Sequence, residues 1–226
     1  MSNVDSHDLR QAIIDGCRWM NASGLNQGTS GNISVRCGGD MLITPSGVPY
    51  ADLKPEMICK LALGVEPDLT GTYPPSSEWR FHQTILNENP DQSTVVHAHP
   101  AHATAVAVQR KSIPPCHYMV AAFGGNDVPL VDYALFGSAE LADMAALALK
   151  DRRACLLANH GAIVTGETFA RALWRMEELE NLARVYLLAQ TAGTPTLLTD
   201  EQMRDVITAF ADYGPRQTLF DSRNSS

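Results

Sequence analysis

Apolar residues recur along this chain at two periods, and the places where the period changes outline its elements. Leu9, Ile13, Cys17 and Met20 follow helical spacing behind the candidate caps Asp5 and Ser6, which predicts an amphipathic first helix ending near Gly24. The stretches NISVR and MLIT read as short strands joined by a turn at Gly38, Gly39 and Asp40. EWRFHQTILNENP has helical character and stops at Asn89-Pro90, since a residue before proline is biased away from the helical region. STVVHAH is strand-like because Val95 and Val96 are β-branched.

AELADMAALALKDR predicts another helix, followed by a buried strand in ACLLANHG. Beyond Thr165-Gly166, the residues Phe169, Leu173, Met176, Leu179, Leu182 and Tyr186 keep helical period and predict the longest helix. A last helix runs from roughly Asp200 to Tyr213, and a polar tail follows from about residue 214. Strands and helices are interleaved, so the expected class is α/β, a sheet covered by helices; element order alone leaves strand direction open.

With 226 residues and 45% hydrophobic content, the chain supports one sizeable core, and a single domain over 1–226 is expected. The balance of 17 Lys+Arg against 25 Asp+Glu gives a net charge of -8, which argues against nucleic acid or an anionic membrane and for a small-molecule partner. The five cysteines are well separated and contain no CxxC pair, so they read as reduced thiols in a cytoplasm. The N-terminus lacks the basic start of a secretory signal, and no span approaches a membrane helix.

The candidate chemistry starts at VVHAH. Alternation along a strand turns His97 and His99 to one face, which suits a metal but fits ordinary polar residues as well. A catalytic zinc needs a third ligand, and His160, at the end of the apolar LLAN stretch, is the best placed; its bland alternative is a capping role. His7 lies in a tail, His82 on a helix face, and His102 is offset from the His97/His99 face, so all three are poorer ligand candidates.

NQGTSGNIS and ITPSGVPY are glycine- and hydroxyl-rich turns where backbone N–H groups can approach an anion, although neither matches a nucleotide fingerprint. In PPSSEWRFHQ, Ser76 and Ser77 fall at a helix start, which serves either as a cap or as a phosphate site. Glu78, in the expected first turn, is either a dipole-favoured carboxylate or a general base.

GTSGNIS, ITPSGVPY, PPSSEWRFH, VVHAHP, IPPCHYMVAAFGG, YALFGS and LLANHGAI occur in the order found in class II, zinc-dependent sugar-phosphate aldolases, and from about Leu9 to Tyr213 the chain resembles that family. The resemblance implies a single class II aldolase/adducin-like domain, three layers α/β/α around a largely antiparallel sheet, assembled as a homotetramer with active sites between subunits. It implies one Zn2+ per subunit on His97, His99 and His160, with Glu78 as proton carrier close to the metal. Phosphate would lie among Gly31, Asn32, Ser46, Gly47, Ser76 and Ser77. Tyr118 would reach a neighbouring subunit's site as a proton donor and acceptor, and Phe136 and Tyr213 would help enclose the substrate.

The activity so implied is reversible cleavage of a ketose 1-phosphate to dihydroxyacetone phosphate and an aldehyde. Relatives in the same superfamily epimerise L-ribulose 5-phosphate at C4 or decarboxylate phosphorylated keto acids. The Glu at position 78 favours the aldolase, because the epimerase pattern carries Asp there. Adducin-like interaction modules share the fold and are expected to lack an intact triad, whereas His97, His99, His160 and Glu78 are all present here.

Overall fold

The computed structural model describes residues 3–211. In chain order the strands are β1 Asn32–Cys37, β2 Asp40–Ile43, β3 Cys59–Ala62, β4 Thr94–Ala98, β5 Leu130–Val131, β6 Ala154–Leu157 and β7 Gly161–Gly166. The helices are α1 His7–Ala22, α2 Trp79–Glu88, α3 Ala101–Val108, α4 Ala139–Ala148, α5 Phe169–Ala192 and α6 Asp200–Ala211. All seven strands join one sheet in the order β3-β2-β1-β4-β7-β6-β5. Every neighbouring pair is antiparallel except β5 with β6.

Side-chain alternation sorts the core into two layers. Val96 joins Ile33, Val35, Leu42, Ala162 and Val164 on the face covered by α1, α3 and α5. Val95, its neighbour, joins Met41, Ile43, Cys155 and Ile163 on the face covered by α2 and α4. The result is the expected three-layer α/β/α arrangement. Each large side chain fully withdrawn from water contributes about 1.5–3 kcal/mol, so both layers are needed to hold the central strands in place.

Local signals account for most boundaries. Ser6 accepts from the Leu9 N–H at 3.2 Å and caps α1. Ser138 accepts from the Leu141 N–H at 3.1 Å and caps α4. Asn89 ends α2 before its proline. No helix among the described residues is long and apolar enough to cross a membrane. Tyr213 lies outside the described residues.

Several elements differ from the sequence expectation. ACLLANHG is not one strand: β6 stops at Leu157, and residues 158–160 turn the chain into β7. Asn159 makes that turn with φ 55, the left-handed conformation that asparagine tolerates better than most residues. His160 therefore sits on a tight turn between two central strands. β3, of four residues with Lys60 between Cys59 and Leu61, and β5, of two, do not read as strands in the sequence. Glu78 precedes α2 as its N-cap residue, where the sequence reading put it in the first helical turn.

Candidate active site

β4 ends in the middle of the sheet, and its C-terminal end delivers His97 and His99. His97 is fully buried, its ring packed edge-on against Phe81 of α2, with centroids 5.4 Å apart. The Nδ1 of His97 lies 2.9 Å from the Ala162 carbonyl, so Nδ1 carries the hydrogen and Nε2 faces the site as a free lone pair. His99, just beyond the strand, brings its Nε2 to 3.0 Å from His97 Nε2. The β6–β7 turn supplies His160, whose ring centroid is 4.8 Å from that of His97 and 5.0 Å from that of His99.

Space for these rings is made by glycines. A Cβ at Gly161 would stand 2.6 Å from both the Ala98 carbonyl oxygen and His99 Cδ2, so only glycine lets β7 begin directly against the pair of histidines. Gly31 is held in the same way: a Cβ there would stand 2.8 Å from the His97 carbonyl oxygen.

Glu78 enters from the opposite side. As an N-cap residue it forms no capping hydrogen bond; the Ser76 hydroxyl instead accepts from the Glu78 N–H at 3.3 Å. The carboxylate is thereby free to turn inward, where Oε2 lies 3.2 Å from His97 Nε2 and Oε1 lies 3.3 Å from His160 Nε2. Asn32 donates to Oε2 at 2.9 Å, while the buried Oε1 has no hydrogen-bond partner.

Burial sets the protonation of this cluster. It pushes His97 down to about 3 and His160 down to about 4, and it lowers His99 as well, so all three imidazoles are neutral at pH 7. Burial raises Glu78, opposed by the Asn32 hydrogen bond and the nearby imidazoles.

The donor set suits a divalent cation. Three neutral imidazoles offer ligand nitrogens that, with Glu78 left aside, all fall within 4.8 Å of one another. Tetrahedral zinc with bonds of about 2.0–2.1 Å separates its ligand nitrogens by about 3.3 Å, close to the spacing between His97 and His99. A buried carboxylate oxygen with no hydrogen-bond donor, Glu78 Oε1, is the kind of group a cation satisfies.

The cluster forms one end of a cavity of about 390 Å³ lined by Gly31, Asn32, Ser46, Gly47, Ser76, Ser77, Glu78, His99, His160 and Phe136, together with Thr29, Ser30, Tyr133 and Asn159. Two of the lining loops are joined by an antiparallel bridge between Pro45 and Pro75. The Ser46 N–H donates to the Pro74 carbonyl and the Ser76 N–H to the Thr44 carbonyl, each at 2.9 Å. The backbone N–H groups of these two residues are thus bonded within the cavity wall.

The structure thus gathers His97, His99, His160, Glu78, the six small and polar residues and Phe136 in one place. Tyr118 is not among them. It begins a 3-10 helix at Tyr118–Phe123, is half exposed, and contacts the rings of His117 and Phe210. The sequence reading also missed His82. On a helix face, yet fully buried, it hydrogen-bonds to Ser34 and Asn32 directly behind Glu78. Its partners are remote in sequence, so no local spacing signals this role.

The sequence matches the Class II Aldolase and Adducin N-terminal domain family over residues 11–187. The chain belongs to that family. An L-fuculose phosphate aldolase of Escherichia coli K12 is 45% identical over 219 residues, covering 94% of this chain and 99% of the relative. A 5-methylthioribulose-1-phosphate/5-deoxyribulose-1-phosphate aldolase of Rhodospirillum rubrum is 44% identical over 211 residues, covering 93% and 95%. A solved L-fuculose 1-phosphate aldolase superimposes with a TM-score of 0.86 at 36% identity, covering 91% of this chain and 97% of its own. Class II aldolases are metal-dependent, and the His97/His99/His160 cluster lies in a fold shared with them.

Proposed function

We propose that this chain is a zinc-dependent aldolase that reversibly cleaves a ketose 1-phosphate, of the L-fuculose 1-phosphate or 5-deoxy- or 5-methylthioribulose 1-phosphate type, into dihydroxyacetone phosphate and an aldehyde. One observation carries the reading: a histidine triad and a buried carboxylate adjoin one cavity that is also lined by Gly31, Gly47, Ser46, Ser76 and Ser77. The metal, when bound to His97, His99 and His160, supplies the Lewis acid and electron sink for the carbon-carbon bond that breaks.

The chain's own residues do the rest. Gly31, Asn32, Ser46, Gly47, Ser76 and Ser77 hold the phosphate, so binding at the unreactive end positions the reacting carbon. The N-terminus of α2 adds positive potential to that wall. Glu78, raised by burial, returns a proton to the carbon that becomes part of dihydroxyacetone phosphate, and removes it in the synthetic direction. Phe136 and, beyond the described residues, Tyr213 enclose the substrate.

Tyr118 takes the proton of the hydroxyl that becomes the aldehyde, and it does so in another subunit. Its exposure outside its own cavity leaves it free to reach a neighbour's site, in the homotetramer proposed for this chain.

The test is a panel of ketose 1-phosphates and pentulose 5-phosphates incubated with zinc-loaded protein, read by release of dihydroxyacetone phosphate and by mass spectrometry. Release from one of the ketose 1-phosphates supports the reading. Epimerised or decarboxylated product without such release overturns it.

A further inference from the structure

Strand β1 alternates polar and apolar residues, and its polar side is not in water. Ile33 and Val35 enter the core beneath α1 and α5, while Asn32 and Ser34 face α2 at 4% and 0% exposure. Around them that sheet face carries Met41, Ile43, Val95, Cys155 and Ile163, with His97 and Thr165 as its other buried polar side chains. Burying an asparagine, a serine and a histidine there costs solvation that an apolar filling of similar volume would avoid.

These three groups form a single file ending on the proposed base. The Ser34 hydroxyl lies 2.7 Å from His82 Nδ1; His82 Nε2 meets Asn32 Oδ1; and Asn32 Nδ2 donates to Glu78 Oε2 at 2.9 Å. The direction of every bond follows from the last one. An ionised carboxylate only accepts, so the Asn32 amide must turn its NH2 to Glu78 and its oxygen to His82. That oxygen requires a hydrogen on Nε2. A neutral imidazole then has a bare Nδ1, which accepts the Ser34 proton. Burial keeps His82 neutral by lowering its pKa well below the ordinary histidine value.

We propose that His82 is a positioning residue: with its tautomer fixed by Ser34, it locks the Asn32 amide so that a donor, not an acceptor, always faces Glu78. Were the amide to turn over, its oxygen would oppose the carboxylate, and Oε2 would lose the donor that holds it in place. The inference deepens the reading of Glu78 as the proton carrier and rests on it for its functional consequence. The tautomer and amide orientation can be measured without it.

The experiment uses full-length metal-free protein with 15N-labelled histidine, followed by zinc-loaded His82→Gln, His82→Leu and Ser34→Ala variants. Expected at pH 7 is a His82 resonance pair with a hydrogen on Nε2 and none on Nδ1; the reverse tautomer overturns the proposal, whatever the protein catalyses. Glutamine places an amide N–H where Nε2 stands, and leucine does not. His82→Gln is therefore expected to keep one zinc per subunit and exchange of the dihydroxyacetone phosphate carbon proton within a few-fold of wild type. His82→Leu is expected to keep its zinc but lose about tenfold or more of that exchange, in kcat and not in KM, as suits a group acting through a proton carrier.

Folded, zinc-loaded His82→Leu with undiminished exchange sinks the idea. If that variant does not fold, the tautomer of Ser34→Ala decides: loss of the single Nε2–H form supports the proposal, and its persistence contradicts the role of Ser34. Glu78→Gln with normal exchange would instead remove Glu78 as the base, leaving the measured tautomer untouched.

Discussion

His97 Nε2 stands 3.2 Å from Glu78 Oε2 at the floor of the cavity, and both side chains are almost wholly withdrawn from solvent. Under the proposed function, a carboxylate this close to a ligand nitrogen is placed to act as the base on a substrate held at the metal. Glu78→Gln keeps shape and hydrogen bonding but cannot carry the proton. It is expected to bind zinc and inorganic phosphate normally while exchange at the dihydroxyacetone phosphate carbon falls about a hundredfold or more. Isotope exchange followed by NMR reads this directly, and unchanged exchange would take the base role from Glu78.

Gly161→Ala tests the packing that brings the histidines together. The added methyl would lie 2.6 Å from His99 Cδ2 and from the Ala98 carbonyl oxygen, the latter being backbone that cannot swing away. Overpacking of this kind costs about 1–3 kcal/mol, and the flexible partner here is His99. Zinc content by elemental analysis is expected to drop well below one per subunit in a protein that remains folded by circular dichroism. Full occupancy would show that the close approach does not govern the site.

How much of this was legible in the chain depends on distance along it. α1, α2, α4 and α5 announced themselves because each carries several turns of apolar period and a boundary residue such as Ser6, Ser138 or Asn89. β3 and β5 did not: β3 breaks its apolar pattern with Lys60, and two residues of β5 show no alternation of their own. His97 and His99 read as a pair because strand alternation is local, whereas the meeting of His160 with them depends on the β6–β7 turn at Asn159, which the apolar run conceals.

His82 was hidden for a related reason. Its partners Ser34 and Asn32 are 48 and 50 residues away, and nothing on α2 alone distinguishes a buried polar histidine from an exposed one. The glycine-rich stretches were readable as turns, but not as one wall. The pairing of Pro45 with Pro75 joins segments that no spacing rule connects.

Tyr118 yields a prediction about assembly. Because it is half exposed and outside its own cavity, Tyr118→Phe and Glu78→Gln should damage different sites when subunits are shared. Each variant alone is expected to be nearly inactive in cleavage. Co-refolding the two together should restore a measurable fraction of wild-type activity, since some sites then combine an intact Glu78 with an intact neighbouring Tyr118. Light scattering checks the oligomer, and absence of any recovery in properly mixed oligomers would mean that Tyr118 does not act in a neighbouring subunit's site.

The metal-free protein should lose stability in mild acid, in a window set by its buried imidazoles. His97 and His160 hold protons only near pH 3 and 4 when folded, and His82 and His99 are lowered too, whereas unfolded histidines protonate near their ordinary value of 6.5. Between about pH 6.5 and 4.5 the unfolded chain therefore binds more protons, and folding free energy falls as pH falls, by up to about 1.4 kcal/mol per pH unit for each fully neutral buried imidazole. Glu78 works in the opposite sense, because its raised pKa lets the folded state take up a proton before the unfolded one does. Carboxylates held down by ion pairs, such as Asp5 and Glu167, lose their contribution only at lower pH. Urea midpoints of chelator-treated protein should therefore decline steadily from pH 6.5 to 4.5. Alanine at His97 should flatten that slope, and an equal slope in the variant would mean that this imidazole is not kept neutral by the fold.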